Sequence, residues 1–186
     1  DCRGAPLFSS QFPERYYEGF DKAPALLVKS LLFIENRELL DTKYPKRNPA
    51  VEWDRFSKAV LDKSLSVFSG GDKRSAGGST LATQIEKYRH SPDGRTSSLS
   101  EKLRQMASAT LRAYQYGEDT TRARRKVVVD YLNTVPLSAK PGYGEVNGIG
   151  DGMWVWYGRK FDEVNSALSG RMDTPQSAQV YKEALS

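Results

Sequence analysis

The sequence predicts a mainly helical, mainly α fold. Apolar residues recur mostly at spacings of three and four, the period of one helix face. Residues that start helices stand at the head of several of these segments, among them Pro24, the Ser98/Glu101 pair and Pro175. No internal repeat or low-complexity tract competes with that reading. The 186 residues leave room for one domain with a sizeable core, or for a domain with a small attached lobe.

The first helix is expected from Pro24 to Leu40, with Leu27, Leu31 and Ile34 as its stripe and the proline in the first turn. Thr42 to Pro49 reads as a loop by its Pro and Lys content. A second helix is expected from Trp53 to Phe68, then a Gly-rich basic loop from Ser69 to Gly78. A short helix follows from Ser79 to Tyr88, and a loop from His90 to Ser97. Ser98 and Glu101 have capping-box spacing and open a helix with the stripe Leu103, Met106, Ala107, Thr110 and Tyr114, which Gly117 ends. Thr121 to Val135 reads as a helix, although the run Val127 to Val129 also suits a strand. Pro141 to Gly152 holds five glycines and reads as loop, Met153 to Tyr157 is aromatic-rich, and a last helix starts at Pro175.

Composition narrows the function classes. With 38% hydrophobic and 27% charged residues the chain reads as globular rather than disordered. No apolar run is long enough for a membrane span, and no signal peptide is visible, so an anchor or export signal is expected upstream of Asp1. The net charge of +5 suits an anionic partner: nucleic acid, a membrane face or a phosphorylated substrate. Basic residues are not interleaved with aromatics, which argues against nucleic acid. One cysteine, Cys2, and one histidine, His90, argue against a zinc site.

Chemistry concentrates in a few places. Glu35 falls four residues after Leu31 and eight after Leu27, so it is expected on the buried stripe of its helix. Burial raises a carboxyl pKa towards the range of a general base, while the same position suits a structural carboxylate paired with Arg37 or another cation. Gly77 and Gly78 lead into Ser79, Thr80 and a helix, where free N–H groups and hydroxyls attract phosphate and Lys87 adds a cation. Arg95, Lys102 and Arg104 are further phosphate candidates. Arg122 and Arg124 to Lys126 read as a solvated helix face.

In this order the segments resemble the family 51 glycosyltransferases, the peptidoglycan polymerase domains of penicillin-binding proteins and their monofunctional relatives. IENRELLD supplies Glu35, Arg37 and Asp41 of a first motif. GGSTLATQIEKY keeps Gly77, Gly78, Ser79, Thr80, Gln84 and Lys87 of a second, and SPDGRT supplies Arg95. EKLRQ, Glu101 to Gln105, is a poor match to a third, YLNTV contains Asn133 of a fourth, and GIGDGMWVWYGR aligns on a fifth. The resemblance spans Ala23 to Asp162.

The resemblance implies a lysozyme-like helical lobe with a smaller mobile lobe near the membrane. Residues 1–22 would be a lead-in, 23–170 the family domain and 171–186 a C-terminal helix cut short. It implies polymerisation of lipid II onto a lipid-linked glycan chain at the periplasmic or outer face of the cytoplasmic membrane, beside other cell-wall synthesis proteins. Glu35 would be the base, and Lys87 and Arg95 would neutralise pyrophosphate. Arg37, the GGST residues, Gln84, Lys102 and Asn133 would bind substrate, with Mg2+ or another divalent cation assisting. The sequence departs from the family at Gln105, where a second catalytic Glu is expected, and at Gly150, where the family carries Glu. A His-x-Gly is also missing from the first motif, with an insertion ahead of VEWDRF in its place. Glu101, one turn before Gln105, is expected to take over, with Asp151 as a second candidate. The alternative is a degenerate relative that binds lipid-linked precursor or partner proteins without chemistry.

Overall fold

The structure is a computed structural model and describes residues 15–51, 79–90, 98–170 and 173–186. The expected helix from Trp53 to Phe68, the Gly-rich loop with Gly77 and Gly78, and Arg95 lie outside the described residues. Among the described residues there are seven α-helices and no strand: α1 (Ala25–Glu35), α2 (Leu81–His90), α3 (Leu99–Ala113), α4 (Thr121–Thr134), α5 (Gly148–Tyr157), α6 (Phe161–Ser169) and α7 (Pro175–Leu185). The mainly α, lysozyme-like expectation agrees with this architecture. None of these helices is long and apolar enough to cross a membrane.

Helix α4 is the axis of the fold. Val128, Val129 and Leu132 on α4 pack with Leu27 and Val28 of α1, Leu81 of α2, Met153 of α5, Val164 and Leu168 of α6, and Val180 of α7. The valine run is therefore helical, because burial in this core outweighs the small β-branched penalty. Tyr17 joins the same core at 3% exposure. Its N–H donates to Asn133 Oδ1 at 2.8 Å and its carbonyl accepts from Asn133 Nδ2 at 2.9 Å. Thr120, fully buried, ties the loop after α1 to the start of α4 by donating to the carbonyls of Pro45 and Arg47.

Several element boundaries and faces differ from expectation. Helix α1 stops at Glu35 rather than Leu40. Asn36 takes an extended backbone and its side chain accepts from the Glu38 N–H, the local competition by which Asn ends helices. Helix α2 starts at Leu81 because Thr80 is its cap. The cap is reciprocal: Thr80 N–H donates to Thr83 Oγ1 at 2.8 Å and Thr83 N–H to Thr80 Oγ1 at 3.3 Å.

Helix α3 is capped as expected, with Ser98 Oγ accepting from the Glu101 N–H. Its buried face, however, is Gln105, Ala109 and Ala113, while Leu103 is half exposed and Ala107 is exposed. The small alanines face the other helices, where Ala82, Ala109 and Ala50 form a second cluster. Close approach of backbones thus takes precedence over the larger side chains of the opposite face.

The glycine-rich stretch is also not all loop, since α5 begins at Gly148. Gly148 has φ +77, and a Cβ there would lie 2.3 Å from the Asn133 carbonyl oxygen. At Gly150 a Cβ would lie 1.9 Å from the Arg15 carbonyl oxygen. The chain at Arg15 fills the space that a glutamate would need, which accounts for the glycine at this departure from the motif.

Candidate active site

The end of α1 and one face of α2 build the site. Glu35 is the last residue of α1 and half-buried, between the exposed Phe33 and Ile34 and the extended Asn36. The buried stripe expected for it has already turned away at this point, so Glu35 lies at the edge of the core. Gln84 on α2 donates Nε2 to Glu35 Oε2 at 3.3 Å. Gln84, Lys87 and Tyr88 follow at i, i+3 and i+4, so all three share that face. Lys87 is half-buried, its ammonium 5.8 Å from the Tyr88 ring centroid.

Tyr131 of α4 completes the group. Burial, then the charges of Glu35 and Tyr88, push its phenol up to about 12. It keeps its proton across the physiological range and stands as a neutral hydroxyl in the field of Glu35. Tyr131 was not among the residues expected at the site. Its only signal was membership of YLNTV, where core spacing and site residues overlap.

The other expected residues are distributed differently. Arg37 folds back on α1, its guanidinium 3.9 Å from the Phe33 ring centroid, and does not pair with Glu35. Ser79 is exposed ahead of α2, whereas Thr80 is buried and its hydroxyl is engaged with Thr83, so the expected anion donor is a helix cap. Asn133 bonds the Tyr17 backbone through both ends of its amide. Glu101 is exposed in the first turn of α3, Lys102 beside it is half-buried, and Gln105 one turn on is 7% exposed. Asp151 accepts from Arg15 at 3.1 Å. Arg15 also stacks on Trp154 at 3.8 Å, which holds Asp151 in the packing of α5.

Two buried charges were not foreseen. Arg124, expected on a solvated face, is 1% exposed. Its NH1 donates to the carbonyls of Leu39 and Asp41, each at 2.9 Å, and its NH2 to Thr121 Oγ1 at 3.2 Å. It clasps the turn that leaves Glu35. Burial pulls the guanidinium below its usual range, partly offset by Asp119 and Asp41.

Glu86, on the α2 face away from Gln84, is 1% exposed. It accepts from Ser108 Oγ at 2.7 Å, Arg112 Nε at 2.8 Å and Arg89 at 3.4 Å. Burial alone would push its carboxyl up, but the Ser108 and Arg112 hydrogen bonds and the Arg112 and Arg89 charges win, and the net direction is down. A depressed native pKa adds stability that is complete above the ordinary value of 4.5 and is lost as pH falls through the native value. Glu86→Gln is therefore expected to be less stable than the parent at pH 7 by about 1–3 kcal/mol. The difference should shrink below about pH 4. Melting temperatures at both pH values check this, and a gap that persists in acid would mean that the charge is not its source.

Among the described residues no group of three His, Cys, Asp or Glu side chains could hold a metal ion. A family model described as Transglycosylase matches residues 6–183. No curated protein matches the chain.

Proposed function

Because the chain belongs to the transglycosylase family, the family 51 peptidoglycan glycosyltransferases, we infer that it polymerises lipid II into β-1,4 glycan strands and releases lipid pyrophosphate. The single observation that supports this reading best is the Gln84–Glu35 hydrogen bond, because it joins the first motif to the second across two helices. In the proposed reaction Glu35 takes the proton from the 4-hydroxyl of the acceptor sugar. That oxygen forms the new bond to the anomeric carbon of the donor as the bond to pyrophosphate breaks, with inversion. Gln84 orients the carboxylate, and the protonated Tyr131 supplies a neutral donor beside it.

Lys87 and Arg95 neutralise the leaving pyrophosphate. Mg2+ or another divalent cation would, when bound, neutralise further charge on the leaving pyrophosphate, and it would need few protein ligands. The substrate's lipid puts the reaction at the outer face of the cytoplasmic membrane. Glu101, exposed one turn before the buried Gln105, is the carboxylate proposed to serve where the second glutamate is missing.

The test is incubation with labelled lipid II, with and without Mg2+, and separation of products on a gel. A ladder of polymer is expected. Saturable lipid II binding without polymer would replace this reading with that of a precursor-binding relative, and Gln105 would be the reason. Full polymerisation by Glu101→Gln would remove Glu101 from the mechanism.

A further inference from the structure

Helix α2 has a second chemical face. Gln84 turns towards Glu35 and shares its face with Lys87 and Tyr88 by helical spacing, while Ala82, Ile85, Glu86 and Arg89 recur on the other side. That other face, with α3 and α4, borders a cleft of about 380 Å³. Its floor is apolar and built from small or branched side chains: Ala82, Ile85, Ala109, Ala113 and Val127.

Four cations, Arg89, Arg112, Arg122 and Lys126, line the cleft against two carboxylates, Glu86 and Asp130, leaving an excess of two positive charges. Arg89 and Lys126 are committed to the carboxylates: Arg89 bridges Glu86 and Asp130, and Lys126 pairs with Asp130 at 2.6 Å. Arg112 and Arg122 are not used up. Arg112 spends only Nε on Glu86, which leaves both terminal nitrogens of a half-exposed guanidinium to donate. Arg122 lies over the Tyr116 ring at 5.4 Å, an arrangement that leaves the donor edge of the guanidinium available.

We propose that this cleft binds a small amphiphilic anion, a phosphate head group on Arg112 and Arg122 with a short apolar stem on the alanine-rich floor. Planar guanidinium groups match phosphate oxygens in pairs, and the apolar floor excludes water from one side of those ion pairs. A cleft of this size, mostly apolar with a few convergent polar groups, has the usual form of a small-ligand site. Glu86 does not oppose the anion, since it is buried below the rim and its charge is met by Ser108, Arg112 and Arg89. The inference is independent of the reaction at Glu35, because it concerns the opposite face of α2 and is read by binding alone.

Titration calorimetry with hexyl phosphate tests it, beside inorganic phosphate and the neutral hexyl glucoside. Hexyl phosphate is expected to saturate one site and to bind at least tenfold more tightly than either control. Arg122→Glu, an exposed substitution, is expected to weaken hexyl phosphate at least tenfold with melting temperature and lipid II polymerisation unchanged. Displacement of hexyl phosphate by phosphatidylglycerol vesicles would assign the head group to a membrane lipid. Absence of displacement, with hexyl phosphate still bound, would assign it to a soluble phosphate ester. Equal binding of hexyl phosphate and hexyl glucoside, no saturation, or an indifferent Arg122→Glu would each overturn the proposal.

Discussion

Glu35→Gln is expected to lower the rate of lipid II polymerisation by about 100- to 10,000-fold, the range that removal of a general base produces. The amide has the shape of the carboxylate, and its oxygen can still accept from Gln84. Helix α1 ends at this residue, and its half-buried side chain adds little to the core, so the melting temperature should change by no more than about 2 °C. The loss should fall on kcat, because the variant keeps the cations proposed to hold the pyrophosphate and lacks only the proposed proton acceptor. Steady-state polymerisation kinetics with labelled lipid II, beside a direct lipid II binding measurement, separate the two effects. A variant that polymerises at the parent's rate would sink the assignment of Glu35 and move the base to another carboxylate, with Glu101 first in line.

The second large effect is on stability. Arg124→Met keeps much of the side-chain volume and removes the donors that meet Leu39 and Asp41. Those two carbonyls lose the guanidinium that now satisfies them, and the turn after Glu35 loses its fastening to α4. The expected cost is about 3–5 kcal/mol, at the level of breaking a buried charged network. For a chain of this size that corresponds to a fall in melting temperature of about 6–20 °C. Arg124→Lys should fall between the two, since one ammonium replaces a planar fork that spans both carbonyls and Thr121. Thermal denaturation of the three proteins checks the order. A methionine variant as stable as the parent would mean that the clasp contributes nothing net. That outcome has a physical route, since Arg124 Nε is buried without a hydrogen-bond partner and its desolvation already offsets part of the gain.

Local signals were legible where they were made of neighbouring residues. The Ser98 cap, the Pro175 start, the end of α4 before Pro136 and the helical class itself depend on short-range hydrogen bonding and periodicity. The motif order was legible for the same reason, and it led to the family that the match over residues 6–183 shows. Faces were harder. The stripe expected on α3 used side-chain size, but the helix turns Ala109 and Ala113 inward and leaves Leu103 and Ala107 outside. Thr80 and Asn133 looked like substrate donors because their types suit that work. In the structure the Thr80 hydroxyl caps α2 and the Asn133 amide bonds the Tyr17 backbone.

What the sequence by itself determined is therefore the helical class, most helix starts, and the family whose motif residues are the candidates for the site. Only the tertiary structure decided which of them meet. Gln84 reaches Glu35 across two helices, Tyr131 enters the field of that carboxylate, and Arg124 and Glu86 are buried charges rather than surface ones. Helix starts follow from interactions within a few residues, whereas burial and pairing of a charge depend on what packs against it from distant parts of the chain.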